Sequence, residues 1–305
     1  MSNKPLKLRP KGMIGSPSPP VETRRKGGAT ARERLQAFGA ALGATFATER
    51  RRRAAAQLGL CLSFAALSCV YVAGLGEPAT TVVARKRELP VYSVQREDKA
   101  LSISFDASWG ADKTIPILDT LDEYNVKTTF FLVGSWVDKY PELVKEIVAR
   151  GHEIGNHSDT HAHMNKLGEE GIRNELRMMS DKVERLTGVR PTLFRPPYGE
   201  YNDRVVTVSR AEGYEAVQWS IDSLDWKDRG TADIVKQCTY RVENGDIVLF
   251  HNDSNDIVNA LPTVLKHYQG LGYSIVPVSE LLLDGETTID IQGKQHPKEA
   301  ASPTQ

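Results

Sequence analysis

Two histidines, His157 and His161, stand four residues apart directly after a short apolar stretch. If this segment were helical, both imidazoles would lie on one face, as a shared metal ion requires. Neutral imidazole suits zinc and similar divalent ions. An isolated pair with this spacing is more often two ordinary histidines, but here His163 adds a third imidazole nearby. The pattern therefore favours a divalent metal site, with Zn²⁺ as the expected ion.

Other chemically useful side chains also follow apolar runs. Asp106, Arg195, Asp225 and His251 each come at or just after the end of such a run. A carboxylate that ends a buried strand is costly unless a partner neutralises it or a reaction uses it. Arg195 is a natural partner for Asp106 or Asp225. A histidine at the tip of an apolar strand can serve as a general acid, although His251 taken alone is more typical of a core histidine.

The segment 195–199 reads Arg-Pro-Pro-Tyr-Gly. Two prolines fix the chain and carry no N–H, so the next backbone donor belongs to Tyr198. A fixed donor of this kind can face an oxyanion, whereas the plainer interpretation is an ordinary rigid turn.

The elements that must position these residues alternate along the chain. Strand-like apolar runs cover 101–105, 128–133, 152–156, 192–195, 215–221, 246–250 and 273–276. Amphipathic stretches with helical spacing lie between them; one follows Pro141 and another ends at Gly188. This repetition predicts a parallel α/β fold.

Seven such strands suit a distorted (β/α) barrel of seven to eight strands, in which strand ends converge on one catalytic face. An open doubly wound sheet gives the same one-dimensional pattern. No dinucleotide-type glycine fingerprint follows the first strand, and this disfavours the open sheet.

Charge is distributed unevenly between the start and the rest of the chain. Residues 1–53 hold 13 Lys or Arg and three acids, whereas the remainder has an excess of acids. We predict that 1–53 is a disordered basic cytoplasmic tail, whose charge sets membrane topology and attracts anionic lipid head groups. Nothing in it indicates base-specific recognition, so no nucleic-acid partner is expected.

Residues 54–75 contain no charged side chain. As a helix they would be about 33 Å long, enough to cross a hydrocarbon core of about 30 Å. We predict an uncleaved transmembrane signal anchor over 54–76, with the N-terminus in the cytoplasm and the remaining chain outside the cell membrane. A cleaved signal peptide and a buried soluble helix are the alternatives.

The predicted organisation continues with a linker over 77–88, a folded domain over 89–285 and a flexible C-terminal tail over 286–305. Cys61 and Cys69 fall within the apolar segment, which leaves Cys238 as the single cysteine after it. The domain therefore has no internal disulfide to form. No protein partner can be inferred.

Residues 89–285 resemble a polysaccharide deacetylase domain of the NodB-homology type (carbohydrate esterase family 4). The resemblance is to the sporulation-associated branch, whose first motif reads Phe-Asp-x-Ser-Trp-Gly. Five family motifs can be placed in order, at 104–110, 156–161, 195–199, 222–226 and 247–251. Their order and spacing make the match specific. It implies a distorted β/α barrel that hydrolyses the N-acetyl group of an amino sugar in peptidoglycan or a related glycan polymer.

The resemblance also implies a role for each matching residue. Its metal-binding histidines correspond to His157 and His161. The remaining implied roles are the general base at Asp106, the arginine that holds it at Arg195, the oxyanion-binding amide at Tyr198, the carboxylate that tunes the acid at Asp225, the acetyl-pocket walls at Trp226 and Leu249, and the general acid at His251.

One position departs from the family pattern. Typical members follow the base with a second aspartate that binds the metal, and this chain has Ala107 there. Three alternatives are open: a water completes the site, a carboxylate such as Asp106 or Asp112 moves in, or no metal binds. The leading hypothesis is a metal-dependent N-deacetylase. The rival is a catalytically silent relative that acts as a wall-binding or spore-envelope assembly factor.

Overall fold

The computed structural model describes residues 31–74 and 87–298. The chain divides after Ala84 into two compact units. The first contains the long helix α1 (Ala31–Gly74). The second contains the α/β elements that carry the residues singled out above.

Helix α1 corrects part of the predicted tail. Residues 31–53 are helical, whereas the sequence predicts disorder over 1–53. Alanine, leucine and arginine are strong helix formers, and Arg53 pairs with Glu49 one turn earlier at 3.6 Å. Residues 1–30 lie outside the described part of the chain.

A transmembrane helix is predicted over 54–76. Within residues 31–74 and 87–298, no helix combines the length and the apolar character that a membrane crossing requires. Residues 75–76, and the predicted linker up to residue 86, lie outside the described ranges.

The second unit alternates strands and helices. Its first half contains β1 (Ser93–Val94), β2 (Ala100–Ala107), α2 (Thr114–Glu123), β3 (Thr129–Leu132), α3 (Gly134–Lys139), α4 (Pro141–Ala149), β4 (Glu153–Asn156), α5 (Glu169–Thr187) and β5 (Leu193–Phe194). Its second half contains α6 (Asp203–Ala211), β6 (Glu215–Ala216), β7 (Ile221–Asp222), α7 (Thr231–Thr239), β8 (Ile247–His251), α8 (Ile257–Gly270), β9 (Ser274–Ile275), α9 (Val278–Leu281), β10 (Thr287–Ile289) and β11 (Lys294–Pro297). As predicted, α4 starts at Pro141, and Gly188 ends α5 in a left-handed conformation.

The main sheet has the strand order β6-β5-β4-β3-β2-β8-β7, with β9 paired to the start of β2. Its described pairings are parallel. This confirms the parallel α/β prediction, and the curled sheet fits a distorted barrel. The central strand β2 is buried along its whole length. Phe105 stacks between Phe130 and Phe250 at ring distances of 5.0 and 5.5 Å, which packs β2 against its neighbours.

The predicted strand over 215–221 is two strands at opposite edges of the sheet. β6 pairs with β5 and β7 pairs with β8, so residues 217–220 cross from one edge to the other. Four residues between strand ends reach at most about 17 Å. The two edges therefore lie close together, and the short crossing holds the sheet in its curled form.

The region after residue 285 is not a loose tail as far as residue 298. Strands β10 and β11 form an antiparallel pair, and β11 also pairs with β1. The Asp290 carboxylate accepts hydrogen bonds from the Gln292 and Lys294 backbone amides. Gly293 supplies the positive φ of 83° that this turn needs. A local turn thus orders a segment whose polar composition predicts flexibility.

Candidate active site

A cavity of about 690 Å³ opens at the carboxyl ends of the barrel strands. Seven of the nine residues predicted for the site line it: Asp106, His157, His161, Tyr198, Trp226, Leu249 and His251. The other two, Arg195 and Asp225, are buried behind the lining. The structure therefore brings together residues that are up to 145 positions apart in sequence, because neighbouring parallel strands end at the same edge.

Asp106 and Arg195 form a buried ion pair at the floor of this cavity. Arg195 Nη1 donates a hydrogen bond to Asp106 Oδ1 at 2.8 Å, and Nη2 donates to the carbonyl of Gln218 at 3.1 Å. The guanidinium also lies 4.1 Å from the centre of the Phe131 ring. Burial raises the pKa of Asp106, but the charge and hydrogen bond of the Arg195 guanidinium oppose it, and that pKa lies below its usual value. The group is an ionised carboxylate held in one orientation.

The His157–His161 segment is an irregular loop and not a turn of helix. Ser158 and His161 have positive φ angles of 68° and 57°. The two imidazole rings nevertheless meet, with centroids 5.0 Å apart. Their approach was predicted correctly from spacing, but the helical geometry assumed for it is wrong.

Helix α5 fixes this loop from outside the cavity. The Glu175 carboxylate accepts hydrogen bonds from the backbone amides of Asp159 and Thr160 at 2.9 and 2.8 Å, and from the Thr160 hydroxyl. Two turns later, Lys182 lies 2.6 Å from both Asp159 and Asp138. Sequence reasoning missed Glu175 and Lys182. The sole signal was two charges seven residues apart on one helix face, a pattern common on solvated helices.

The fit of a metal ion can be tested on the polar atoms of the two histidines. His157 Nδ1 donates to the carbonyl of Arg195 at 2.7 Å, so Nε2 carries a lone pair and no hydrogen. This Nε2 lies 3.4 Å from Asp106 Oδ2. Two acceptors at this distance need a proton or a cation between them. His161 Nδ1 is buried and has no hydrogen-bond partner among the described residues. Burial and the neighbouring charges keep both imidazoles neutral, with the pKa of His157 lowered and that of His161 lowered to about 4.

These donors fit a divalent ion held by two imidazoles. The third ligand of the family pattern is absent, since Ala107 has no donor atom and is 1% exposed. Within the described ranges, no group of three or more His, Cys, Asp or Glu side chains has the arrangement of a metal site. Among the described residues, the structure thus offers two imidazoles to an ion and no third protein ligand at position 107.

His251 and Asp225 form a second anchored pair, and His251 lies beside Asp106 on the neighbouring strand β8. His251 Nδ1 donates to Asp225 Oδ1 at 2.7 Å, so Nε2 is the nitrogen left for the cavity. Burial lowers the pKa of His251, but the hydrogen bond and charge of Asp225 outweigh it and raise that pKa above its usual value. The histidine is thereby suited to hold a proton near neutral pH.

The rest of the lining combines apolar and aromatic side chains with polar ones, among them three further aspartates. Tyr198 sits in the rigid turn with φ at +61°, and its ring lies 4.4 Å from that of His161. Leu249 is buried on β8, while Trp109 and Trp226 are exposed beside the cavity. Flat exposed rings around a polar pocket are suited to pack against a sugar. An anchored carboxylate and an anchored histidine across one such pocket can perform acid–base hydrolysis.

Comparison with known proteins agrees with this chemistry. The family model described as polysaccharide deacetylase matches residues 93–217. A peptidoglycan-N-acetylglucosamine deacetylase from Bacillus cereus is 36% identical over 196 residues, which are 63% of this chain and 92% of the relative. The peptidoglycan-N-acetylmuramic acid deacetylase PdaC of Bacillus subtilis is 32% identical over 62% of this chain and 40% of its own length.

Solved structures show the same fold. A pseudoenzyme of the CE4 family from Bacillus anthracis superposes with a TM-score of 0.62 at 30% identity, over 64% of this chain and 69% of that one. A mutant of that pseudoenzyme, described as having restored enzymatic activity, has the same TM-score at 31% identity, over 64% of this chain and 71% of its own.

Proposed function

Because the chain belongs to the polysaccharide deacetylase family, we propose that it removes N-acetyl groups from amino sugars of peptidoglycan or a related cell-envelope polysaccharide. As a member of this family it is a hydrolase that acts on amide bonds. The observation that carries the proposal is that two anchored side chains line the same cavity. Asp106 is held by Arg195, and His251 is held by Asp225.

We assign the general base to Asp106. Water adds to the acetyl carbonyl carbon as the Asp106 carboxylate takes its proton. Arg195 keeps the carboxylate ionised and oriented, since its guanidinium is fully buried and has no aqueous alternative. The backbone amide of Tyr198 is the proposed donor to the oxygen that becomes negative.

We assign the general acid to His251. Its Nε2 proton passes to the sugar nitrogen as the C–N bond breaks, so that acetate and a free amine are the products. Asp225 orients the imidazole and keeps it protonated. Trp226 and Leu249 are the proposed walls that hold the acetyl methyl group.

His157 and His161 are the proposed holders of a divalent ion, with zinc as the first candidate. Such an ion, when bound, polarises the amide carbonyl and lowers the pKa of water towards about 7. The Arg195 carbonyl holds the His157 ring, and the Glu175 carboxylate holds the loop that leads to His161.

The test is acetate release by the full-length chain from N-acetylglucosamine oligomers and from muropeptides, with Zn²⁺, Co²⁺, Mn²⁺ or Ni²⁺ added. Asp106→Asn and His251→Ala should each lose at least about 100-fold in kcat, because each removes one proton-transfer group. His267→Ala, on the outer helix α8, is the matched control and should retain activity. Folded wild-type protein that releases no acetate from any substrate would refute the proposal.

A catalytically silent role is the second candidate. It is favoured by Ala107, which leaves the metal site one ligand short, and by the similarity to a CE4 pseudoenzyme. It predicts that Asp106→Asn and His251→Ala leave the cellular phenotype of the gene unchanged. Loss of that phenotype in either folded variant would eliminate this candidate.

We also propose that the catalytic unit works outside the cytoplasm, as the contrast between the basic first 53 residues and the acidic remainder suggests. Protease added to intact cells should then digest this unit and spare residues 1–53; protection of the unit would contradict the assignment.

The Phe105–Gly110 sequence motivates a role in spore or envelope formation, which a time course of expression through sporulation would test.

A further inference from the structure

A second cavity, of about 520 Å³, lies next to the first. It is formed by the edge strand β7 and the C-terminal half of α7, with Asp222, Lys236, Gln237, Tyr240 and Arg241 among its lining residues. Asp222 lines both cavities. The two cavities therefore adjoin at Asp222.

The two cavities differ in their charged residues, although Asp222 is common to both. The first is lined by four aspartates, Asp106, Asp222, Asp228 and Asp253, and its described lining contains no lysine or arginine. Arg195 neutralises Asp106 from behind, whereas among the described residues no lysine or arginine forms an ion pair with the other three. The second cavity instead presents the ammonium of Lys236 and the guanidinium of Arg241.

As far as the structure describes the chain, the charges of Lys236 and Arg241 are not used in ion pairs that stabilise the fold. Within the described part of the chain, neither forms an ion pair with a carboxylate, whereas Arg150, Arg190 and Arg210 on the same unit each bind two or more acids. Arg241 lies 5.1 Å from the centre of the Tyr240 ring. That ring is 71% exposed, unusual for a large aromatic side chain without a partner. A flat ring beside two free cations is suited to a sugar that carries an acid.

We propose that the second cavity is a subsite for a carboxylate carried by the glycan next to the sugar that is deacetylated. This inference rests on the proposed function. Three unneutralised aspartates disfavour an acidic sugar in the first cavity, and the second cavity accepts the acidic neighbour through Lys236 and Arg241. The enzyme thereby recognises strands in which a neutral amino sugar alternates with an acidic one.

The experiment compares three substrates of equal length: a neutral N-acetylglucosamine oligomer, a peptide-free glycan whose alternate sugars carry a lactyl carboxylate, and the same glycan with its peptides attached. The variant is Lys236→Met/Arg241→Met in the full-length chain. Its matched control is Lys266→Met/Arg204→Met, which removes the same two charges from exposed positions elsewhere.

For the acidic glycans, the variant should lose about fivefold or more in kcat/KM, mainly through KM, because two solvent-exposed ion pairs are lost. For the neutral oligomer, the variant and wild type should agree within about twofold. The control variant should match wild type on all substrates. Addition of salt should reduce the preference of wild type for acidic glycans and leave the variant unchanged.

The source of the carboxylate follows from the two acidic substrates. A loss on both identifies the lactyl group, and a loss only on the peptide-bearing glycan identifies a peptide carboxylate. An equal effect on neutral and acidic substrates would overturn the subsite. If wild type deacetylates none of the three substrates, the proposed function itself fails, which is a distinguishable result.

Discussion

Asp225 holds His251 at two points: Oδ1 lies 2.7 Å from the ring Nδ1, and Oδ2 accepts the backbone amide of the same residue at 2.8 Å. One buried carboxylate therefore sets both the position and the protonation of the candidate acid.

Replacement of Asp225 by Asn should move the alkaline limb of the pH–rate profile to lower pH. The His251 pKa is raised in the folded protein, so the protonated acid persists to a pH above the usual value of 6.5. Without the carboxylate, burial dominates and the pKa falls. The His251 ring signal in an NMR titration should move in the same direction as the limb; an unmoved titration would contradict this role.

The same pair links stability to pH. Because the folded-state pKa of His251 lies above its unfolded value, its contribution to the free energy of unfolding is complete below pH 6.5 and is lost as pH rises through the folded pKa. Urea unfolding of wild type and Asp225→Asn at a series of pH values should converge on the alkaline side of this range. Parallel curves would exclude the linkage.

Arg195→Met should destabilise the domain by about 3 to 5 kcal/mol, because it leaves the Asp106 carboxylate buried without its partner. The pKa of Asp106 should rise at the same time. Denaturant unfolding at neutral pH measures the loss, and Arg204→Met on the surface is the control. A further Asp106→Leu substitution should recover much of the loss; no recovery would show that packing, and not charge, is responsible.

Glu175→Ala should weaken metal binding by about tenfold, since Glu175 fixes the loop between the two histidines without touching the ion. Glu175→Gln keeps an acceptor oxygen and should retain most of the affinity. Isothermal titration with Zn²⁺ measures both variants beside Glu170→Ala, an exposed change on the same helix. Equal affinities for all three would show that the loop is ordered by other contacts.

Ala107→Asp should lower the melting temperature of the metal-free protein and enlarge the rise on addition of Zn²⁺. The position is almost fully buried, so an added carboxylate is costly until a cation neutralises it. Ala107→Asn, of similar size and without charge, is the control. If the zinc-induced rise is no larger with aspartate than with asparagine, the missing third ligand does not limit the site.

The sequence predicted the position of a candidate site residue where that residue directly follows a strand. Asp106, Arg195 and His251 each stand at or beside the end of an apolar run, and the parallel topology brings such ends together. It was uninformative about support from distant helices: Glu175 and Lys182 act on the histidine loop across 15 or more residues of sequence, with no local pattern to reveal them. It also failed at 215–221, because the run Glu-Ala-Val-Gln-Trp-Ser-Ile does not show where the chain changes edges.

The number of residues in the crossing at 217–220 limits how far apart the two edges of the sheet can lie. The Val217 amide donates to the Phe194 carbonyl and the Ser220 amide donates to the Ile247 carbonyl, so both ends of the crossing are held. A deletion there would pull β7 from β8 or β6 from β5, and an insertion would displace the Gln218 carbonyl that holds Arg195 behind Asp106. The closure of the sheet therefore constrains the length of this segment as well as its buried side chains.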